Sequence, residues 1–273
     1  MLKDYLHAAV KQPQLFYQSP VTVAGNIEGV VNRFQADGLT LKDYLRAAVK
    51  QSPLFAMSPG TIIANIEEVA GHFRTDGLTL NAFLKAAVIK PQLFCQSPQT
   101  ISDNIESVAK HFCEEGLTVR HYLQTAIRYP QHFYQAPATL IANIEAVAGQ
   151  FRECGLTLPN YLRAAVKQPQ LFHQSPATLI RHINYVIDMH RAGLLTFAGQ
   201  TDSPPKQPLR PLFDFLVKAP MFFCLADDNY LLRMEYAGVS GERPGGMALL
   251  TRSRRRIEQD LAQIQKPNQS QVS

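Results

Sequence analysis

The sequence lacks the features that mark membrane, secreted and metal-binding proteins. Its 273 residues contain no apolar run long enough to span a bilayer and no secretory signal. The four cysteines, Cys95, Cys113, Cys154 and Cys224, show neither paired metal-ligand spacing nor a disulfide framework. We therefore expect no membrane segment, and the cysteine usage favours a reducing intracellular compartment.

Recurring catalytic motifs are missing as well. No nucleophile beside a base, no pair of catalytic carboxylates and no glycine loop that would cradle a phosphate recurs along the chain. The eight histidines are scattered, and their spacing does not favour a metal site. We expect a protein that is not an enzyme and that holds no metal or cofactor.

What the sequence has in abundance is repetition. The segment from Leu41 to Thr79 occurs five times with a 39-residue period. The other copies begin at Leu2, Leu80, Val119 and Leu158. A period of this size is typical of solenoids, in which stacked copies supply one another's core. The predicted fold class is all-α, an α-solenoid (superhelix) of two-helix repeats.

Each copy predicts two capped helices joined by a turn. A Gly-Leu-Thr segment precedes the first helix, and Gly77 and Thr79 suit a left-handed C-cap and an N-cap. Proline ends the first helix, and a Ser-Pro pair such as Ser58 and Pro59 begins the second. Apolar residues at helical spacing form one stripe on each helix. The stripe of the first helix contains an aromatic column that we assign to the core: Tyr5, Tyr44, Phe83, Tyr122 and Tyr161.

The repeats also predict how the chain is divided. The predicted parts are five copies over 1–196, an insertion loop over 197–208, a degenerate sixth copy over 209–246, a C-terminal helix over 247–265 and a disordered tail over 266–273. The sixth copy is recognised by Leu209 and Phe223, which lie in the columns of Leu158 and Phe172. Because no N-cap precedes the first copy, the chain can also be read as an excerpt of a longer repeat protein.

Lysine and arginine are concentrated in two columns of the first helix. Its sixth and tenth positions are i and i+4 on the face opposite the apolar stripe, and eight of these twelve positions are Lys or Arg. A ladder of cations is how affinity for a phosphate backbone is built, although a solvated face multiplied by duplication is the alternative. The predicted phosphate-binding residues are Lys11, Arg46, Lys50, Lys85, Lys90, Arg128, Arg163, Lys167 and Lys218.

One column varies while its neighbours stay fixed. It lies between the Leu-Phe and Gln-Ser-Pro strings and reads Tyr17, Ala56, Cys95, Tyr134, His173 and, in the sixth copy, Cys224. A reader of one base per repeat would need a constant scaffold with one changing side chain, so the first five are candidate base-reading residues. Drift at a tolerant turn position explains the column equally well.

Two further groups of polar residues stand out. A repeated polar residue beside the second-helix stripe is expected to bond to the backbone of the neighbouring turn. This column contains Asn26, Asn65, Asn104, Asn143 and His182. The run from Arg252 to Arg256 is either an extra phosphate contact or a solvated helix face.

The strings PQLFYQSPVTVAGNI from Pro13 and PQLFHQSPATLIRHI from Pro169, with the Gly-Leu-Thr that closes the first four copies, resemble the repeat of the mitochondrial transcription termination factor family. The resemblance implies a helical solenoid that holds nucleic acid in a basic groove and acts in transcription regulation. In organisation, the near-identical copies are similar to the modular DNA-reading repeats of bacterial plant-pathogen effectors.

The sequence as a whole predicts a nucleic-acid-binding repeat protein. Duplex DNA is favoured over RNA only through the family resemblance. The net charge of +5 permits an acidic partner without requiring one. The alternative is a protein-interaction scaffold whose groove holds an acidic peptide or helix.

Overall fold

The described part of the chain is entirely helical. The computed structural model describes residue 10 and residues 17–195, 209–240 and 246–264, and no strand occurs in these ranges. In chain order the α-helices are α1 (Pro20–Phe34), α2 (Leu41–Lys50), α3 (Pro59–His72), α4 (Leu80–Ile89), α5 (Pro98–His111), α6 (Val119–Arg128), α7 (Pro137–Gln150), α8 (Leu158–Lys167), α9 (Gln170–His173), α10 (Pro176–Arg191), α11 (Arg210–Lys218), α12 (Asp227–Ser240), α13 (Gly246–Thr251) and α14 (Arg254–Ile264). The all-α prediction is confirmed for these ranges. Tyr5, Lys11, the predicted loop over 197–208 and the predicted tail over 266–273 lie outside them.

The predicted helix caps are confirmed. Gly77 has a φ of 95°, and the Thr79 side chain accepts a hydrogen bond from the backbone N–H of Ala82 at 3.2 Å. Ser58 caps α3 in the same way, accepting from Thr61 N–H at 3.2 Å. Small polar side chains thus satisfy N–H groups that a helix start leaves unpaired. The same local signals therefore set the helix boundaries in successive copies.

The turns after the first helices are short 3-10 helices. They span Ser52–Phe55, Pro91–Phe94, Pro130–Phe133 and Pro220–Cys224, whereas the corresponding turn of the fifth copy is α9. Proline at or near the start of each turn cannot donate the next α-helical hydrogen bond, so the first helix stops there. The leucine and phenylalanine of the turn, such as Leu54 and Phe55, are buried.

The apolar stripes form the core. Tyr44, Phe83, Tyr122 and Tyr161 are at most 1 % exposed, which confirms their assignment to the core. On α3, the predicted face of Ile62, Ile66, Val69 and Phe73 is buried in the same way. None of the helices described is both long and apolar enough to cross a membrane.

The chain separates into two compact units, the first ending at Leu140 and the second beginning at Ile141. In the first unit, the first helices α2, α4 and α6 pack side by side, and so do the second helices α1, α3 and α5. The turns Pro91–Phe94 and Pro130–Phe133 also pack on the first helix of the preceding copy, as shown by the edge-to-face contact of Phe94 with Tyr44, whose ring centroids are 5.5 Å apart. Neighbouring copies therefore bury one another's apolar faces within this unit.

The second unit repeats this packing with its own two copies. Helix α8 packs against α11, α10 packs against α12, and the turn Pro220–Cys224 contacts both α8 and α10. Helix α14 then covers α12. The predicted sixth copy thus has the same element order as the others, a helix, a 3-10 turn and a second helix.

The C-terminal region differs from the sequence prediction. One helix is predicted over 247–265, whereas the structure has α13 and α14 with a break at Arg252 and Ser253. Ser253 Oγ accepts a hydrogen bond from Arg256 N–H at 3.3 Å and so starts a new helix. The buried guanidinium of Arg233 donates to the Arg252 carbonyl at 2.9 Å, which holds the break against α12.

Candidate nucleic-acid interface

The sixth and tenth positions of the first helices lie on the exposed face of every copy that the structure describes. In α2, Tyr44, Ala47 and Ala48 are buried, while Arg46 and Lys50 point to solvent. The same exposure holds in α4, α6, α8 and α11. Helical periodicity accounts for this exposure. Residues three or four positions apart lie on the same side of a helix, and the apolar side of each first helix faces the core. We call these two columns, together with Lys90, the basic face.

Neighbouring first helices bring the columns next to one another. Helices α2, α4 and α6 are in contact in the first unit, and α8 and α11 are in contact in the second. Equivalent residues of adjacent copies therefore form a row across each unit. In the first unit this row includes Arg46, Lys50, Lys85 and Arg128, with Lys90 half-buried beside it.

Acidic residues of the second helices are engaged elsewhere. Glu67 of α3 pairs with Arg33 of α1, and Glu106 of α5 lies 2.6 Å from His72 Nε2 of α3. Both pairs join one copy to the next in the layer of second helices. On the basic face, by contrast, Lys50, Lys85, Lys90 and Lys218 make no ion pair with any residue that the structure describes. This separation leaves positive charge on the first-helix side.

Other members of the basic face have local partners. Arg46 lies 3.9 Å from the Asp43 carboxylate, and Arg163 donates to the side-chain oxygen of Asn160. Arg128 Nε donates to the Gln124 carbonyl at 3.3 Å. Lys167 Nζ donates to the Val217 carbonyl at 2.7 Å, near the C-terminus of α11. An exposed pair of this kind contributes little to stability, so a phosphate could compete for these side chains.

Three side chains interrupt the basic face in the described copies, and the first is the neutral Gln124 at the sixth position of α6. Ile89, which is 56 % exposed, occupies the tenth position of α4, and Lys90 follows it. Asp214 occupies the sixth position of α11 and is exposed. Asp214 and Lys218 are i and i+4 on one helix, where opposite charges attract each other. The basic face of the second unit is therefore partly neutralised.

The C-terminal arginine run is held by acidic groups of its own unit. Arg252 lies 3.3 Å from Asp260, and Arg256 lies 3.4 Å from the same carboxylate. Arg254 pairs with Glu258 at 2.7 Å and also with Asp228. Of the two interpretations that the sequence allows, these contacts favour the solvated helix face, because three of the four arginines pair with carboxylates of their own unit.

The variable column lies beside the preceding copy. Tyr17 is 90 % exposed, whereas Ala56, Cys95, Tyr134, His173 and Cys224 are half-buried. The side chain of Gln51, at the end of α2, hydrogen-bonds to Cys95, and Gln168 does the same to Cys224. A base would have to reach side chains that the neighbouring copy covers in part.

Burial also changes the ionisation of this column. It raises the pKa of the Cys95 thiol and raises that of Cys224 to about 12, while it lowers the pKa of His173. The charged form loses hydration in each case, so the neutral form is favoured. At neutral pH these side chains offer uncharged hydrogen-bonding groups.

The predicted role of the asparagine column is confirmed at three positions. Asn26 donates to the Phe55 carbonyl at 3.2 Å, and Asn104 donates to the Phe133 carbonyl at 3.1 Å. His182 takes the same place, with Nδ1 at 2.8 Å from the Phe223 carbonyl. Each bond ties a second helix to the turn of the next copy. The column belongs to the scaffold.

Sequence reasoning missed a charged cluster between α10 and α12. The Asp227 carboxylate lies 3.0 Å from Arg181 and 3.0 Å from His182 Nε2. The hydrogen bond from Arg181 is the main cause of the lowered pKa of Asp227, and the bond from His182 adds to it. The sequence contains a signal for this cluster. His182 replaces the asparagine of the other copies, and Asp227 occupies the column of Pro176.

The structure also has a surface cavity that is not part of the basic face. It has a volume of about 410 Å³ and lies at the C-terminal end of α3, where Ala70, Gly71, Arg74 and Leu78 are among its lining residues. It belongs to the layer of second helices and not to the basic face. Among the described residues, no group of three His, Cys, Asp or Glu side chains could hold a metal ion.

The fold and this surface define a class, an all-α protein of repeat-like helical architecture with a basic first-helix face. No protein-family model matches the chain, and no curated protein matches it either.

Proposed function

We propose that this protein is an α-solenoid that binds nucleic acid along its basic face. The observation that carries the proposal is the arrangement of charge: the first helices expose rows of lysine and arginine, while Glu67 and Glu106 of the second helices pair with the preceding copy. Cations in a row follow a phosphate backbone and release its counterions on binding. The resemblance to the mitochondrial transcription termination factor repeat supports the same function and favours duplex DNA.

The proposal has a second part, sequence readout by the variable column from Tyr17 to His173. Its support is that one residue varies among the first five copies, while the phenylalanine before it is constant and the glutamine after it is kept in four of them. Base-edge contacts specify sequence, whereas phosphate contacts do not. Exchanging Ala56 for His should then alter the preference at one position of a randomised target and leave the salt dependence unchanged. If the preference does not change, the variable column does not read bases, and recognition of the backbone is the only part of the proposal that remains.

A protein scaffold is the second candidate. Ile89 is the observation that favours it, because an exposed apolar side chain beside Lys85 and Lys90 suits a mixed peptide groove better than a phosphate backbone. The partner would be an acidic peptide or helix. This candidate predicts binding to such a peptide with little competition from DNA.

The test compares two variants of equal charge. The first replaces four cations of the basic face by glutamine: Lys50, Lys85, Arg128 and Lys218. The control replaces four exposed cations of the second helices and of the loops that follow them: Arg74, Lys110, Arg152 and Arg191. Affinity for labelled duplex DNA is measured by anisotropy over a range of salt concentrations.

If the basic face binds phosphates, the slope of log affinity against log salt concentration is less steep for the first variant, by up to about 3.6. Each lost contact contributes about 0.9 to this change. The control should bind nearly as the parent does. Equal losses in both variants would mean that only net charge matters, and the proposed surface would be refuted.

A further inference from the structure

We propose that the nucleic-acid backbone is held by the first unit, on α2, α4 and α6, and that the first helices of the second unit contribute little. This inference rests on the proposed function and adds to it which copies bind and how long a stretch of backbone they hold. The ligand class is a short segment of phosphodiester backbone.

In the first unit the two columns themselves hold no acidic residue, and Arg46 lies 3.9 Å from the Asp43 carboxylate outside them. Lys50 and Lys85 are exposed and make no ion pair with described residues, and Lys90 stands next to Ile89 where the column is interrupted. Arg128 is exposed and donates its Nε–H to the Gln124 carbonyl at 3.3 Å. The six column positions of α2, α4 and α6 include no acidic residue.

The second unit differs in charge and in contacts. Asp214 occupies one of its four column positions, one turn before Lys218 on α11. Lys167 Nζ is bonded to the Val217 carbonyl at 2.7 Å, and Arg163 is bonded to Asn160. A phosphate at this surface would meet a negative charge and would compete with contacts inside the unit. The second unit is therefore the weaker half of the basic face.

The three first helices that the structure describes in the first unit set the length of backbone that this proposal assigns to them. Packed helices lie roughly 8–10 Å apart, so the outer axes of three adjacent helices are about 16–20 Å apart. Duplex DNA carries one phosphate per 3.4 Å on each strand, and this span corresponds to about five or six phosphates. We expect a minimal site of about six base pairs.

Two matched triple variants test the inference, each removing two cations from the tenth column and one from the sixth. The first-unit variant carries Lys50→Gln, Lys85→Gln and Arg128→Gln. The second-unit variant carries Arg163→Gln, Lys167→Gln and Lys218→Gln. Salt titrations with a labelled 24-base-pair duplex of mixed sequence are compared with the parent, and circular dichroism checks that each variant is folded.

The first-unit variant should have a slope of log affinity against log salt concentration that is less steep by about 2.7. This change reduces the loss of affinity between 50 and 200 mM salt by about 40-fold. The second-unit variant should change it by less than about 1. Equal flattening by both variants overturns the inference and leaves the proposed function intact. Flattening by neither variant overturns both.

A measurement on the parent protein alone gives a second test. Duplexes of increasing length are titrated, and the salt dependence is followed after correction for overlapping sites. We expect it to stop steepening at about eight base pairs. Continued steepening to about sixteen base pairs would require phosphate contacts from both units and would overturn the inference.

Discussion

At the scale of single residues, one polar column of the second helices fixes how successive copies meet. Asn26 and Asn104 each donate to the carbonyl of a buried phenylalanine in the next turn. An unpaired buried carbonyl costs free energy, so this donor stabilises one position of the turn over others. His182 keeps the bond to the turn and adds one to Asp227. A single substitution thereby gives one junction a second contact.

Another position, in the turn, changes from leucine to histidine in one copy. His132 is fully buried where other copies have Leu54, Leu93 and Leu171. Burying an imidazole costs more than burying a leucine. We predict that His132→Leu raises the free energy of unfolding by about 1 kcal/mol, measured by urea denaturation.

The reverse exchange in the preceding copy serves as the control for His132. Leu93→His should lower the free energy of unfolding by at least about 1 kcal/mol, because it places a polar ring in an equivalent apolar site. If His132→Leu is instead destabilising, the ring contacts of His132 with Tyr122 and Tyr129 contribute more than its burial costs.

Cysteine reactivity measures how far the preceding copy covers the variable column. Cys113 is exposed, whereas Cys95 and Cys224 are half-buried, and burial raises the pKa of both. The thiolate is the reactive form. We predict that a maleimide reagent at pH 7.5 modifies Cys113 first and Cys224 much later, as read by mass spectrometry of the digested protein.

The labelling order also bears on base readout. Cys95 should react more slowly than Cys113 and should gain reactivity when urea unfolds the protein. Equal rates for Cys95 and Cys113 in the folded protein would show that the column is open, which removes the steric objection to a base reaching it.

At the scale of elements, local signals in the sequence are sufficient to predict most boundaries. Threonine and serine caps, left-handed glycines and prolines act within a few residues, so the starts of α3 and α4 follow from their own neighbours. The break between α13 and α14 was not predictable in this way. It depends on Arg233, which is distant in sequence and donates to the Arg252 carbonyl.

The candidate interface was predictable to a similar degree. Helical periodicity is sufficient to place the two basic columns on the exposed face. Which cations have partners depends on tertiary contacts, such as Lys167 with the Val217 carbonyl or Arg254 with Asp228. The partial covering of Cys95 by the preceding copy is also a tertiary effect, because a turn position reads as surface when only its own copy is considered.

The junction between α10 and α12 should respond to acid. The pKa of Asp227 is lowered, chiefly by the hydrogen bond from Arg181. The ionised carboxylate therefore stabilises the folded second unit at pH values above 3.8, the ordinary pKa of this group. This stabilisation is lost as the pH falls through the folded-state pKa. We predict that Asp227→Asn is less stable than the parent at pH 7 and that the difference shrinks as the pH falls below 3.8.

Urea unfolding at several pH values between 3 and 7 measures this effect. Asp188→Asn is the control, since Asp188 is exposed on α10 and makes no ion pair with described residues. A difference between Asp227→Asn and the parent that stays constant from pH 7 to pH 3 would show that the carboxylate charge is not what joins the two helices.

At the scale of the whole molecule, the relevant property is where the charge lies. The net charge of +5 is modest for 273 residues and by itself does not predict a nucleic-acid-binding protein. The basic columns gain significance because the repeats place them on one face in each unit, while Glu67 and Glu106 are paired within the other layer. A solenoid of such copies is the arrangement that we propose, and it would make the rows continuous over several helices.

The central claim is that the basic face contacts phosphates, and the salt dependence of binding tests it most directly. Anisotropy titrations of the parent protein with duplex DNA, single-stranded DNA and RNA, from 50 to 300 mM salt, give the affinity for each. We predict a linear fall of log affinity with log salt, with a slope of about −3 to −5 for duplex DNA, since each contacted phosphate contributes about −0.9. Absence of binding to all three at 50 mM salt, or a slope near zero, would contradict the claim.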